Sequence, residues 1–208
     1  MFILDFDDTL FDTHAFKQQY YMALKNIGIS QELCMQTYYK TRSDTFGRTT
    51  YSDKRHAKCL SQYGFDYGTV LALLLRITKN AKTFLFDDTI DFLQTLKEKK
   101  ETVVVLSLGE EEFQRKKIKA SGILPYVDKV FTVNTTKNEI VKQIVTECPE
   151  ESIYFINDKV KETQELVEEF PQLTPVLKVS KSIAFVEYEQ SCIPKVQHLS
   201  EIFSLVMV

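Results

Sequence analysis

Residues 1–13 read MFILDFDDTLFDT, and residues 83–92 read TFLFDDTIDF. Each copy sets an Asp pair and a Thr behind an apolar run, so the chain offers two places for one kind of acidic site. Their surroundings differ. Phe2 to Asp5 is a short apolar run entering a polar cluster, the pattern of a buried strand that ends in a loop. In the second copy Asp87 and Asp88 precede TIDFLQTLKEKK, where Ile90, Leu93 and Leu96 recur at helical spacing and Asp91 stands three after Asp88. That is close to a capping arrangement and assigns Asp88 to a helix start.

After the first copy, HAFKQQYYMALKN carries apolar residues at helical spacing and stops before Gly28. Ser30 and Ser52 fit N-caps for two further helices, the second closed by Gly64, and a fourth helix covers Thr69 to Lys79. No strand-like alternation appears between Thr13 and Lys82. The pattern then changes: the strand TVVVLS (102–107), the helix EEEFQRKKIKAS, the strand KVFTV, the helix TKNEIVKQIVTE, the strand SIYFIN, the helix KVKETQELVEEF and the strand TPVLKV follow in turn. Strands alternating with helices imply parallel β-α-β units, and the unbroken apolar runs VVVL and IYFI suit strands covered on both faces. The expected fold is α/β: a three-layer, Rossmann-like core with a parallel sheet, formed by residues 1–13 and 83–208, with an all-helical cap, residues 14–82, inserted after the first strand.

Composition bounds the function. With 208 residues, 44% hydrophobic and 26% charged, the chain can bury a full core. A net charge of −3 argues against a general nucleic-acid or anionic-membrane binder. Cys34, Cys59, Cys148 and Cys192 form no C-x-x-C pair and are expected to be buried free thiols. Acidic Asp5, Asp7 and Asp8 stand where a signal peptide needs a basic region, and the longest apolar stretch, Val70 to Leu75, is far short of the ~20 residues that span a bilayer, so a cytoplasmic protein is expected. The expected partner is a small molecule, with no nucleic acid and no membrane, bound by a monomer or homodimer.

In open parallel sheets ligands bind beyond the carboxyl ends of the strands. That rule gathers Asp5, Asp7, Ser107, Asn157 and Asp158, with Lys137 at the start of the helix after KVFTV. Carboxylates from two strands make a hard oxygen site of the kind Mg²⁺ prefers, and a metal relieves their mutual repulsion. Lys137 balances charge, and Ser107 offers a hydrogen bond to a phosphate oxygen. This is the equipment of phosphoryl transfer.

These residues resemble the motifs of the haloacid dehalogenase-like (HAD) hydrolase superfamily. Its Asp-x-Asp-x-Thr is matched by Asp5, Asp7 and Thr9, its strand-end Ser or Thr by Ser107, its Lys by Lys137, and its acidic fourth motif is approached by Asn157 and Asp158. The resemblance implies a Mg²⁺-dependent phosphatase in which Asp5 is the nucleophile that forms an aspartyl-phosphate and Asp7 the general acid and base. Ser107, Lys137, Thr9, Leu108 and Gly109 would bind the phosphoryl group, and Asp5, Asp7, Asp158 and Asn157 the metal. The family's dehalogenases lack an Asp two places after the nucleophile, so Asp7 favours a phosphatase or, as alternative, a phosphomutase; a non-catalytic binding module is the reading from another class. Asp8 stands where many members have Gly, and Asn157 replaces an acid, with Glu162 four residues beyond Asp158. Arg42, Arg48, Lys54, Arg55, His56 and Lys58 of the cap are candidates to contact a substrate anion, as solvated helix faces are their alternative.

Overall fold

The computed structural model describes residues 1–44, 46–149 and 151–206. Six parallel strands, β1 Phe2–Leu4, β2 Val103–Leu108, β3 Lys129–Val133, β4 Ile153–Asn157, β5 Leu173–Lys178 and β6 Lys195–Val196, form one sheet in the order β3-β2-β1-β4-β5-β6. Phe2 lies opposite Val103 on one side and Tyr154 on the other. A strand paired on both edges and covered on both faces has to be apolar throughout, and Phe2, Ile3 and Leu4 are all buried. Alternation splits them between faces: Phe2 and Leu4 join Val103, Val105 and Ile156, while Ile3 joins Val104, Leu106 and Phe155.

Between Thr13 and Lys79 the described residues form four α-helices, α1 Thr13–Lys25, α2 Gln31–Arg42, α3 Asp53–Ser61 and α4 Tyr67–Lys79, and no strand beyond isolated bridges. Each starts on a side chain that accepts a backbone N–H of its first turn: Asp12 from Ala15, Ser30 from Leu33, Ser52 from Arg55 and Asp66 from Thr69. The cap is therefore all-helical, with its fourth helix beginning two residues before Thr69. The core helices are α5 Thr89–Glu98, α6 Glu111–Ser121, α7 Asn138–Glu147 and α8 Val160–Glu169, followed by the short α9 Phe185–Glu189 and α10 Ile202–Val206.

Two expectations change, and three short elements had no counterpart in the sequence pattern. Asp88 stands at the start of α5 but does not cap it: its ψ of 1° lacks the extended backbone that turns a capping side chain onto the helix, and its carboxylate accepts Ser200 N–H instead. Cys148 is half-buried and Cys192 exposed, so two of the four free thiols are buried. The two-residue β6 and the short α9 and α10 carry too few residues for a periodic pattern.

The second acidic copy finds its place here. Asp12 N–H donates to Phe84 O at 2.7 Å, Phe86 N–H to Leu10 O at 3.2 Å, and Thr89 Oγ1 to Leu10 O at 2.8 Å. FLFDDT is the chain returning from the cap, laid beside the chain that leaves for it. Asp87 is exposed.

Candidate active site

Asp5 directly follows β1, Ser107 is the next-to-last residue of β2, Asn157 ends β4 and Asp158 follows it, so parallel strands deliver all four to one edge of the sheet. Lys137, immediately before α7, reaches into the group. Its Nζ donates to Asp5 Oδ1 at 2.6 Å, to Glu162 Oε2 at 2.8 Å and to Asn157 Oδ1 at 3.2 Å, which engages all three ammonium hydrogens. Burial works against the Lys137 charge, but Asp5 and Glu162 overcome it and hold its pKa above the ordinary value.

Asn157 was expected among the metal ligands. Its Oδ1 accepts from Lys137 and its Nδ2 donates to Glu162 Oε2 at 2.9 Å and Thr163 Oγ1 at 3.1 Å, because α8 brings both partners over the end of β4. The side chain is a brace for Lys137 and Glu162.

The carboxylates are more crowded than Lys137 can balance. Burial pushes Asp5 above the ordinary carboxylate value, with Lys137 and Lys159 pulling the other way. Asp158 is pushed up to about 8, by burial first and then by the charge of Asp5. Asp158 Oδ2 accepts from Ser180 Oγ at 3.3 Å, while its Oδ1 is buried with no hydrogen-bond partner among the described residues. An unpaired buried carboxylate oxygen under the charge of the neighbouring Asp5, both hard oxygen donors, fits a divalent cation such as Mg²⁺.

Ser107 Oγ and Thr9 Oγ1 are likewise buried without a partner among the described residues. Gly109, expected to meet phosphate, donates its N–H to Val133 O at 2.7 Å and so spends it on the adjoining strand. Leu108 O accepts from Gln114 Nε2 at 3.0 Å. The Gln114 side chain lies so close to Gly109 that a Cβ there would stand 2.4 Å from it, which is why this position has none.

Asp7 is held by three donors. Lys117 Nζ is 2.5 Å and Thr13 Oγ1 2.8 Å from Oδ1, and Gln114 Nε2 is 2.7 Å from Oδ2. Burial pushes the Asp7 carboxyl up, but the Lys117 charge and these hydrogen bonds outweigh it and leave the pKa below the ordinary value. Lys117 is buried among the rings of Phe6, Phe11, Phe16 and Phe113, 5.1 to 5.8 Å from Nζ to each centroid.

Asp8 has φ 61, the left-handed region that Gly enters freely and Asp tolerates better than most. Its N–H donates to Phe11 O at 2.7 Å, Oδ1 accepts Thr13 N–H at 3.2 Å, and Oδ2 accepts Ser182 Oγ at 2.6 Å. Burial raises the Asp8 pKa despite the Ser182 bond.

A cavity of about 150 Å³ opens between this edge and the cap, with Asp7, Asp8 and Asp158 on the core side and Tyr38, Arg42 and Tyr51 on the other. Of the other cap cations, Arg48 pairs with Asp44 at 2.7 Å, Lys54 with Glu112 at 3.4 Å, His56 is buried inside the cap, and Arg55 and Lys58 are exposed on α3.

Gln114, Lys117, Ser180 and Ser182 escape a motif search. The first two were legible in another way: Phe113, Gln114, Lys117, Ile118 and Ser121 are the buried residues of α6, so Lys117 occupies an inward position in the helical phase although it sits in the basic run RKK. The two serines lie in an irregular loop after β5, where no period marks them.

No curated protein matches the chain in sequence. Among solved structures, a haloacid dehalogenase-like hydrolase from Burkholderia xenovorans superposes with a TM-score of 0.74 at 20% identity, over 99% of this chain and 95% of its own. The HAD hydrolase YfnB of Bacillus subtilis, described with bound magnesium, gives 0.66 at 16% identity over 100% and 98%. The L-2-haloacid dehalogenase of Xanthobacter autotrophicus gives 0.64 at 15% over 99% and 97%. At these identities the likeness shows the fold. The family model for haloacid dehalogenase-like hydrolases matches residues 1–162, from β1 through the cap to Glu162. This chain belongs to the haloacid dehalogenase-like hydrolase family.

Proposed function

We propose that the protein is a Mg²⁺-dependent phosphohydrolase that cleaves a small phosphomonoester through an aspartyl-phosphate on Asp5. The observation that carries this reading is Asp7: a second carboxylate, two residues beyond Asp5, borders the cavity that would hold the leaving group. A route that only displaces halide has no use for it. Asp5, Asp158 and the backbone carbonyl of Asp7 would hold the metal, which when bound neutralises charge on the phosphoryl oxygens.

In the first half-reaction an Asp5 carboxylate oxygen attacks phosphorus, the bond to the leaving oxygen breaks, and that oxygen takes a proton from Asp7. In the second, water attacks the aspartyl-phosphate and gives its proton to Asp7, releasing phosphate and restoring both carboxyl groups. Asp7 must carry a proton when the ester binds. The arriving dianion favours this, since a like charge nearby raises a carboxyl pKa against the pull of Lys117. Ser107 Oγ, free of protein partners among the described residues, donates to a phosphoryl oxygen, and Lys137 neutralises a neighbouring one. The cap closes the cavity and keeps bulk water from the phosphoenzyme.

Purified protein assayed on a panel of phosphomonoesters should release phosphate with Mg²⁺ and lose that activity with chelator. Asp5→Asn should lower kcat by on the order of a thousandfold or more, as loss of a covalent nucleophile does. Turnover that survives in Asp5→Asn, or halide release from 2-haloacids with no phosphate release from any ester, would overturn the proposal.

A further inference from the structure

We propose that Lys117 and Gln114 of α6 are positioning residues that fix the orientation of the Asp7 carboxylate at the wall of the leaving-group cavity. The kinetic consequence rests on the phosphohydrolase reading; the contact itself does not.

Lys117 is 3% exposed and its ammonium faces four phenylalanine rings. A methionine would fill such a space and bury no charge, so packing does not account for the residue. The rings offset part of the desolvation cost, and the remaining compensation comes from Asp7, the one hydrogen-bond partner of Lys117 Nζ among the described residues.

Gln114 leads to the same carboxylate. Its Nε2 donates both to Asp7 Oδ2 and to Leu108 O, while its Oε1 is buried without a partner among the described residues. Turning the amide over would satisfy neither acceptor, so it keeps its donors on Asp7 and leaves its own oxygen unmet. Thr13, from the first turn of α1, adds the third donor. Lys117 and Thr13 share Oδ1 and Gln114 takes Oδ2, which leaves the carboxylate little rotational freedom. Among the described residues none of the three donors hydrogen-bonds to Asp5, Ser107 or Lys137, so the hold acts on the carboxylate that moves the proton.

Two measurements test this. On the ester the enzyme turns over, Lys117→Met should lower kcat by about 10- to 100-fold, the range of a displaced general acid, with KM within about threefold; Lys117→Arg should recover most of the loss; Gln114→Leu should lower kcat in the same sense. A folded Lys117→Met with wild-type kcat, or a loss that Arg does not repair, overturns the proposal, and unchanged kcat in Gln114→Leu removes Gln114 from it. The second readout needs no activity. Asp7→Asn leaves the caged ammonium without its counter-charge, so adding Lys117→Met to Asp7→Asn should raise Tm, although the same change lowers Tm in the wild type. Equal Tm shifts in both backgrounds would show that Lys117 and Asp7 are not coupled, even if the wild type hydrolysed no ester and the phosphohydrolase reading had fallen.

Discussion

Asp8 resolves the oddest residue of the first motif. A side chain at φ 61 costs roughly 1–2 kcal/mol relative to ordinary backbone, and Asp offsets this by accepting Thr13 N–H and Ser182 Oγ. Asp8→Ala keeps the strain and loses both bonds, so it should destabilise by about 1–2 kcal/mol, whereas Asp8→Gly removes the strain with the bonds and should cost less than half of that. Urea midpoints of the two variants check the order, and equal costs would contradict it. At this scale the sequence was legible where chemistry demands a residue type at a strand end: Asp5, Ser107 and Asp158 stand at the carboxyl ends of β1, β2 and β4, and Lys137 reaches Asp5. It was illegible where a side chain's direction decides. Nothing in NDKVKE says that Asn157 turns toward Glu162 and Thr163, or that the Gly109 amide is taken by Val133.

Elements were read best where period and cap agreed. Ser30 and Ser52 cap α2 and α3 as their spacing implied, but Asp88, with the same credentials on paper, is turned away by its own ψ. Within the cap, α2 and α3 are joined through His56. Its Nε2 meets Thr37 Oγ1 at 3.0 Å and its Nδ1 meets Tyr51 OH at 3.1 Å. Thr37 gives its one hydroxyl hydrogen to a backbone carbonyl, so it accepts from Nε2–H, and Tyr51 donates to Nδ1: the ring is neutral. Burial depresses its pKa from 6.5 to about 4. The unfolded chain therefore takes up this proton below pH 6.5 and the folded chain not until about pH 4. The stability His56 confers is complete above pH 6.5 and shrinks as pH falls through that window, by on the order of 3 kcal/mol. His56→Gln should lose less stability than the wild type between pH 7 and pH 4.5, read as the shift in urea midpoint; parallel losses would exclude His56 as the acid-labile point.

At the scale of the molecule, cap and core are joined by more than their two linkers. One apolar cluster runs from Phe2 and Leu4 under the sheet through Phe11 and Phe16 to Leu60, Val70 and Leu74 of the cap, and Tyr51 meets Phe113 of α6 edge-on at 5.1 Å between ring centroids. Cap and core should accordingly unfold in one cooperative step. A probe on exposed Cys192 in the core and tyrosine fluorescence weighted to the cap should give coincident denaturant transitions, and an earlier cap transition would show that the cluster does not couple them. The sequence announced the insertion through the change of pattern at Lys82, but not this continuity, because apolar periodicity marks which face of a helix is buried and never against what.

The central position of β1 also sets an order in time. Its three residues are made before their partners Val103 and Tyr154, which follow roughly a hundred and a hundred and fifty residues later, separations that slow assembly. The helices between them make local contacts and can form while β1 waits. The strand that leads into Asp5 thus waits for both of its neighbours, and the site comes into being only when β4 closes the second edge.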